Sequence, residues 1–181
     1  TVWGWSVLNI SNFLRYSDFF LELPHLFPEI NFIFRPHPLL FPNLKLHKVW
    51  TSEQIENYIT QISNIPNMLF DTSSDYFDKF ANSDAIIHDC GSFIGEYLYT
   101  KKPCCYLMKN EEETAKTLLP LGKECISHYY HAFNKKDILS FIENVVCRGV
   151  DPMKESRELF VETQIMVNYP YSSDFLISHI K

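Results

Sequence analysis

The sequence lacks the features of a membrane-spanning or exported chain. Its longest apolar stretches, such as residues 32–34 and 85–87, are far too short to cross a bilayer. The first residues contain no basic segment followed by an apolar core, so we expect no secretory signal. The chain starts at Thr1 within an apolar run, and we expect a cut made inside a longer protein.

Cysteine is present without the spacing of a disulfide framework or a structural zinc site. The five cysteines are odd in number, none is arranged as C-x-x-C, and Cys104 and Cys105 are adjacent. Disulfide frameworks and zinc sites require other spacings. We therefore expect buried, reduced thiols in a cytoplasmic protein.

A net positive charge and metal-ligand clusters are also lacking. A formal net charge of -6 argues against a nucleic-acid surface spread over the chain. His128 and His131 lie three residues apart on a predicted strand or loop, a spacing that does not suit a metal site. We expect no metal, no cofactor and no nucleic-acid partner.

The composition is that of a folded domain. The 181 residues are 46% hydrophobic and 15% aromatic, which is enough to bury a core. The sequence shows no internal repeat, low-complexity stretch or interdomain linker. We therefore expect a single domain over residues 1–181.

Short β-type runs alternate with segments of helical periodicity. Strands are predicted at residues 2–8, 31–35, 67–71, 84–88 and 103–108, with a weaker sixth at 126–131. Helices are predicted at residues 12–27, 52–64, 75–82, 91–100, 135–146, 152–167 and 173–180, and a further one begins at the acidic residues 111–113. This alternation predicts an α/β fold with a Rossmann-like, doubly wound parallel sheet.

The fold predicts where a ligand binds. In doubly wound sheets, ligands bind outside the carboxyl ends of the strands. The segments that directly follow predicted strands are residues 35–38, 71–75, 88–92 and 108–113. We expect the site at these segments, with Arg35, His37, Asp89 and Ser92 near one edge of a sheet.

The first of these segments contains Arg35 and His37 within the sequence Arg-Pro-His-Pro. The two prolines stiffen the turn and limit where the imidazole points. A histidine titrates near neutrality, and an arginine can bind two phosphate oxygens at once. This pair of residues suits proton transfer beside a phosphate. The alternative is structural: His37 fills a turn and Arg35 forms a surface ion pair.

Residues 84–96 predict a strand, a tight turn and a helix. Gly91 and Ser92 open the predicted helix, where backbone N–H groups attract a phosphate. Glu96 follows one helical turn later, where its carboxylate would accept bonds from ribose hydroxyls. The alternative is an ordinary strand–helix connection with Asp89 as the N-cap and Glu96 in solvent.

Two motifs in this order resemble the CDP-glycerol glycerophosphotransferases of teichoic acid and capsule polysaccharide biosynthesis. That family has an R-P-H-P turn and then a strand ending S-D-x-x-I-x-D-Y-S-S-x-x-x-[DE], followed by a helix and a K-[RP]-x strand. This chain has Arg-Pro-His-Pro at residues 35–38 and Ser-Asp-Ala-Ile-Ile-His-Asp-Cys-Gly-Ser at 83–92, followed by Glu96 and Lys-Lys-Pro at 101–103. The segment at 71–78 and the closing residues at 157–180 are also similar, so the likeness covers roughly residues 1–180.

The resemblance implies a role for each matching residue. It makes His37 the catalytic histidine of this half, beside Arg35, which we assign to pyrophosphate charge. The resemblance implies that Asp89, Ser92 and Glu96 bind the donor, and we add Gly91, through its amide, and Ser74 to the donor-binding residues.

Three positions depart from the family's pattern. Cys90 replaces its tyrosine, Gly91 replaces its first serine, and His88 stands where a small hydroxyl residue is usual. These departures put the identity of the donor in doubt.

The activity implied by the resemblance is transfer of glycerol phosphate, or a related phosphoalditol, from a CDP-linked donor to a polymer or lipid-linked acceptor. The fold implied is the donor-binding half of a GT-B architecture, with a second catalytic histidine on an N-terminal domain outside this chain. The implied location is cytoplasmic and peripheral at the inner face of the membrane. Two alternatives remain: a GT-B glycosyltransferase using a UDP- or CMP-sugar, and a non-catalytic assembly module.

Overall fold

Helices and short parallel strands alternate along residues 11–180, which are the residues described by the computed structural model. The chain divides into two compact units, Thr1–Tyr76 and Phe77–Lys181, here termed the N-terminal and C-terminal units. The predicted α/β class with parallel strands is confirmed. The predicted strand at residues 2–8 lies outside the described residues, and both the single domain and the single doubly wound sheet remain predictions.

The N-terminal unit contains a two-stranded parallel sheet. Its elements in chain order are α1 (Phe13–Leu26), β1 (Phe32–Phe34), α2 (Leu40–Leu46), α3 (Ser52–Ser63) and β2 (Met68–Phe70). Ile33 pairs in register with Leu69. The parallel direction means that the loops after β1 and β2 leave the sheet at the same edge.

Aromatic packing forms the core of the N-terminal unit. Phe13 of α1 and Tyr58 of α3 pack edge to face, with ring centroids 5.4 Å apart, and Phe34 of β1 packs on both. The Tyr58 hydroxyl donates to the Ser17 carbonyl at 2.8 Å, which satisfies its polar end inside the core. Through Phe13, α1 therefore packs into this core.

The C-terminal unit contains a three-stranded parallel sheet of order β3-β4-β5. Its strands are β3 (Ile86–His88), β4 (Cys104–Leu107) and β5 (Tyr130–Ala132). The helices are α4 (Phe77–Asn82), α5 (Phe93–Glu96), α6 (Glu111–Thr117), α7 (Pro120–Ser127), α8 (Lys135–Ser140), α9 (Lys154–Phe160) and α10 (Ser172–His179). A 3₁₀ turn continues α5 as Tyr97–Thr100, and π-helical segments continue α8 as Phe141–Cys147 and α9 as Val161–Ile165.

The central strand β4 is buried at all four positions, as expected for a strand covered on both faces. Its Cys104 and Cys105 are buried free thiols, and Cys125 on α7 is buried as well. The prediction of buried thiols is therefore confirmed for these three cysteines. Cys90 is half-buried and Cys147 is exposed, so for these two it is wrong.

Two sequence assignments are corrected by the structure. Residues 40–46, which have no predicted element, form α2, because Pro42 falls in the first turn of the helix, where its missing N–H costs nothing. The prediction of a weak sixth strand at residues 126–131 is wrong for residues 126–129. Pro120 starts α7, which runs to Ser127, and the strand β5 begins only at Tyr130.

A buried ion pair stabilises the C-terminal unit. Arg157 on α9, with a side chain 1% exposed, pairs with Asp151, 11% exposed, and donates from Nε to the Lys101 carbonyl at 3.0 Å. The Tyr130 hydroxyl also donates to Asp151, at 2.7 Å. Burial would raise the pKa of Asp151, but the hydrogen bonds from Arg157 and Tyr130 lower it by more, so the carboxylate stays charged.

Within the part of the chain that the structure describes, no helix is both long and apolar enough to cross a bilayer.

Removing the Arg157 guanidinium should destabilise the protein strongly. Arg157→Met leaves the Asp151 carboxylate buried without its counter-charge, which typically costs about 3–5 kcal/mol. Urea denaturation at pH 7 measures the free energy of unfolding. The control is Arg148→Met, because Arg148 is exposed and should change stability by less than about 0.5 kcal/mol. Equal effects of the two substitutions would show that the buried pair contributes nothing.

Candidate functional site

The carboxyl edge of the β1–β2 sheet gathers the first set of predicted residues. Arg35 and His37 follow β1, and Asp71 follows β2. The Asp71 N–H donates to the Phe34 carbonyl at 3.0 Å, which extends the strand pairing by one residue. The expected convergence of strand ends is therefore present within the N-terminal unit.

Arg35 is engaged by the loop that follows β2. Its Nη1 pairs with the Asp71 carboxylate, and its Nη2 donates to the Ser73 carbonyl at 2.6 Å. Its guanidinium lies over the Tyr76 ring, with Cζ 5.3 Å from the centroid. The ion pair proposed as the structural alternative for Arg35 is thus present, and much of its charge is balanced within the N-terminal unit.

Asp71 is a buried carboxylate held in its charged form. Burial alone would raise its pKa, but hydrogen bonds from Ser73 and Arg35 lower it below the ordinary value. Ser73 also donates from its hydroxyl to the Asp75 carbonyl at 2.8 Å. Both Ser73 and the predicted Ser74 are exposed, but Ser73 is the serine that hydrogen bonds to Arg35 and Asp71 in this cluster.

The His37 ring is oriented by the backbone of its own turn. The Leu39 N–H donates to His37 Nδ1 at 3.1 Å, and the Leu40 N–H donates to the His37 carbonyl at 2.8 Å. A neutral imidazole that accepts at Nδ1 carries its proton on Nε2. Partial burial lowers the pKa of His37, which favours this neutral form near pH 7.

In the C-terminal unit, residues 89–92 form the turn between β3 and α5. Gly91 and Ser92 are exposed, and the Ser92 hydroxyl lies 3.2 Å from the Cys90 thiol. The predicted helix at residues 91–100 is shorter than expected, because only Phe93–Glu96 is α-helical and a 3₁₀ turn follows. A single α-helical turn has a small dipole, so binding of an anion here depends mainly on individual donors.

Glu96 lines a surface cavity of about 590 Å³ on the C-terminal unit. The other lining residues are Phe77, Phe80, Ala81, Tyr99, Thr100 and Lys102. Gly91 and Ser92 are not among them, so the structure does not bring Glu96 into one cavity with the turn. The Asp89 carbonyl accepts from the Tyr106 hydroxyl at 3.2 Å. The N-cap of α5 is Ser92 and not Asp89, and Ser92 makes no side-chain capping bond.

His88, the last residue of β3, is a buried imidazole. Its Nδ1 accepts from the Cys90 N–H at 3.2 Å, while Nε2 is buried with no hydrogen-bond partner. Burial lowers the pKa of His88 to about 3, although the bond to Cys90 opposes this shift. The ring is therefore neutral across the physiological pH range.

The paired histidines of the C-terminal unit lie in separate environments. His128 stacks on Phe160 with ring centroids 4.2 Å apart, and His131 contacts the Ile126 carbonyl at 3.0 Å and Glu111 at 3.7 Å. Among residues 11–180, no group of three or more His, Cys, Asp or Glu side chains is arranged to hold a metal ion.

Comparison with known protein families, curated proteins and solved structures finds no match to this chain.

Sequence reasoning did not identify several residues that shape these sites. The sequence indicates Asp71 and Ser73 only as members of a strand-end segment that is also part of the resemblance, and their contact with Arg35 follows from the pairing of β1 with β2. The hydroxyls of Tyr106 and Tyr129 reach the backbone around the turn. The sequence does not mark these two residues as part of a site, because buried tyrosines are common in cores.

The buried imidazole of His88 should make the protein sensitive to acid. Between pH 6.5 and about 3 the unfolded chain protonates this residue while the native state does not, so lowering the pH favours unfolding. From pH 7 to pH 4.5 the free energy of unfolding should fall by about 2.5 kcal/mol more in the wild type than in His88→Leu. Urea denaturation at both pH values measures this difference. Parallel losses in the two proteins would contradict the buried neutral imidazole.

Proposed function

We propose that this chain is the donor-binding part of a transferase that moves glycerol phosphate, or a related phosphoalditol, from a CDP-linked donor to a cell-surface polymer. The observation that carries the proposal is the position of the two motifs. Residues 35–38 directly follow β1, and residues 89–92 directly follow β3. Both therefore lie at the carboxyl ends of parallel strands, where α/β sheets bind ligands. A Rossmann-like doubly wound sheet, as in one half of a GT-B architecture, is part of this proposal.

The reaction is a displacement at the donor's β-phosphorus. The acceptor hydroxyl oxygen forms a bond to that phosphorus, the bond to the bridging oxygen breaks, and CMP leaves. We assign the proton of the acceptor hydroxyl to the second catalytic histidine, which the resemblance places on an N-terminal domain. Such chemistry depends on positioning and on charge stabilisation.

The geometry of His37 supports one of its two candidate roles. Because Nδ1 accepts the Leu39 N–H, the neutral ring presents Nε2–H, which is a donor and not a base. We assign His37 to donating a hydrogen bond to a phosphate oxygen in the transition state. Arg35 then acts mainly by fixing the loop at residues 71–76, since Asp71 balances much of its charge.

The turn at residues 89–92 is assigned to the donor's phosphates. Gly91 and Ser92 are exposed residues, and we assign the Ser92 hydroxyl and the two backbone N–H groups to the phosphates as donors. A Cβ added at Gly91 would meet no atom within 4 Å, so the backbone there accepts the serine that the resemblance expects. Glu96 is assigned to the ribose hydroxyls on the resemblance alone, because the cavity that it lines does not include Gly91 or Ser92.

Ser92→Asp should abolish binding of CMP and CDP to this chain. The new carboxylate would repel the phosphate, yet stability should not fall, because aspartate is favoured at a helix N-cap. Isothermal titration calorimetry measures the nucleotide affinity, and Ser140→Asp is the control because it adds the same charge at another exposed serine.

Gly91→Ser is the matched gain-of-contact variant. One added neutral hydrogen bond should tighten CDP binding by about 2- to 10-fold. Unchanged affinity in Ser92→Asp would exclude the turn as the phosphate site. A UDP preference would favour the glycosyltransferase alternative, and no binding of CMP, CDP or UDP at millimolar concentration would favour the assembly module.

His37→Gln and His37→Ala should separate hydrogen-bond donation from proton transfer. The glutamine amide keeps a donor and cannot act as an acid or base at neutral pH, so it should retain most of the activity, whereas alanine should lose about 100- to 1000-fold. Release of CMP from CDP-glycerol by the full-length protein measures this. Equal loss in both variants would mean that His37 transfers a proton, and full activity in His37→Ala would remove it from the reaction.

A further inference from the structure

The turn at residues 89–92 rests on a cluster of buried polar aromatic side chains. Three rings form this cluster, which we term the turn-supporting cluster: His88 of β3, Tyr106 of β4, and Tyr129, which directly precedes β5. The His88 ring stands edge-on to Tyr106 at 5.2 Å and to Tyr129 at 5.6 Å between centroids. All three residues are buried.

Each member of the cluster directs one polar atom to the backbone of the turn or of α5. His88 Nδ1 accepts the Cys90 N–H at 3.2 Å. The Tyr106 hydroxyl donates to the Asp89 carbonyl at 3.2 Å. The Tyr129 hydroxyl donates to the Ile94 carbonyl at 2.9 Å. The backbone on both sides of Gly91 and Ser92 is thus tied to the sheet beneath it.

The support matters because the turn has little rigidity of its own. The α-helix that follows is a single turn, and its N-cap Ser92 makes no side-chain capping bond. Gly91 adds no side chain that could restrict the backbone. A phosphate-binding turn must hold its N–H groups in place before the ligand arrives, since ordering them on binding costs affinity.

We propose that His88 and Tyr106 are positioning residues that hold the 89–92 turn in its ligand-binding conformation from inside the sheet. This inference rests on the proposed function for the ligand, but the positioning itself does not depend on which ligand binds. It assigns a role to His88, at a position where the resemblance expects a small hydroxyl residue. The imidazole accepts the Cys90 N–H and also packs against Tyr106 and Tyr129, whereas a small hydroxyl side chain could accept the N–H but would leave that space unfilled.

Two substitutions of His88 separate positioning from packing. His88→Leu fills the space but removes the acceptor for the Cys90 N–H. It also removes the unpartnered Nε2–H, so it should not lower stability at pH 7 by more than a packing change does. His88→Asn restores an acceptor, because the asparagine Oδ1 occupies nearly the same place as the histidine Nδ1. Tyr106→Phe removes only the hydroxyl that holds the Asp89 carbonyl.

Alkylation of Cys90 reports on the turn without any nucleotide. In a Cys147→Ser background the remaining thiols besides Cys90 are buried, and burial raises the pKa of Cys104 to about 12 and also raises the pKa of Cys105 and Cys125. Iodoacetamide reacts with thiolates, so intact-mass spectrometry under native conditions follows Cys90 alone. The affinity for CMP is measured by calorimetry on the same proteins.

In His88→Leu the alkylation rate of Cys90 should rise about 3- to 10-fold, and CMP should bind about 3- to 10-fold more weakly, as expected for loss of one hydrogen bond. Tyr106→Phe should change the alkylation rate and the CMP affinity in the same directions. His88→Asn should keep the alkylation rate and the CMP affinity within about 2-fold of the wild type. Equal alkylation rates in the wild type and His88→Leu, or an asparagine variant that behaves like leucine, would overturn the positioning role. If the wild type binds no CMP, the proposed function fails, while the alkylation rates still decide the role of His88.

Discussion

Burial of β4 on both faces is the constraint on which the C-terminal unit depends. All four residues of this strand are buried, so its backbone N–H and C=O groups must pair with a strand on each side. Those partners are β3 and β5, and both run parallel to it. Parallel pairing sends the carboxyl ends of all three strands to one edge. The position of the 89–92 turn at that edge follows from burying an apolar strand.

Several polar groups that enter these cores are satisfied by the loops above them, and His88 Nε2 is an exception. His88 and Tyr106 use their polar atoms on the backbone at residues 89 and 90, and in the N-terminal unit Arg35 and Asp71 pair beneath Ser73. A buried donor or acceptor without a partner costs about 1–3 kcal/mol, so each of these contacts is enforced by folding. The consequence is that loops at strand ends are held firmly even where the adjoining helix is short.

The sequence was informative where periodicity or strand-end position decides the outcome. The apolar runs predicted the location of β1 to β4, and the predicted start of α3 at residue 52 is confirmed, with Thr51 as the N-cap and Gln54 completing the capping box. The helix α2 was missed because prolines at 36, 38 and 42 indicate a turn. The pairing of Arg35 with Asp71 and the burial of His88 could not be predicted, since both depend on which strands become neighbours.

The central claim is that the 89–92 turn binds the phosphate of a cytidine nucleotide. The most direct measurement is a titration of the ¹⁵N-labelled chain with CMP, followed by amide chemical shifts. The account predicts that the largest shifts occur at the Gly91 and Ser92 amides and saturate with a single affinity. Unchanged shifts at these two amides up to millimolar CMP, or shifts confined to other parts of the chain, would contradict it.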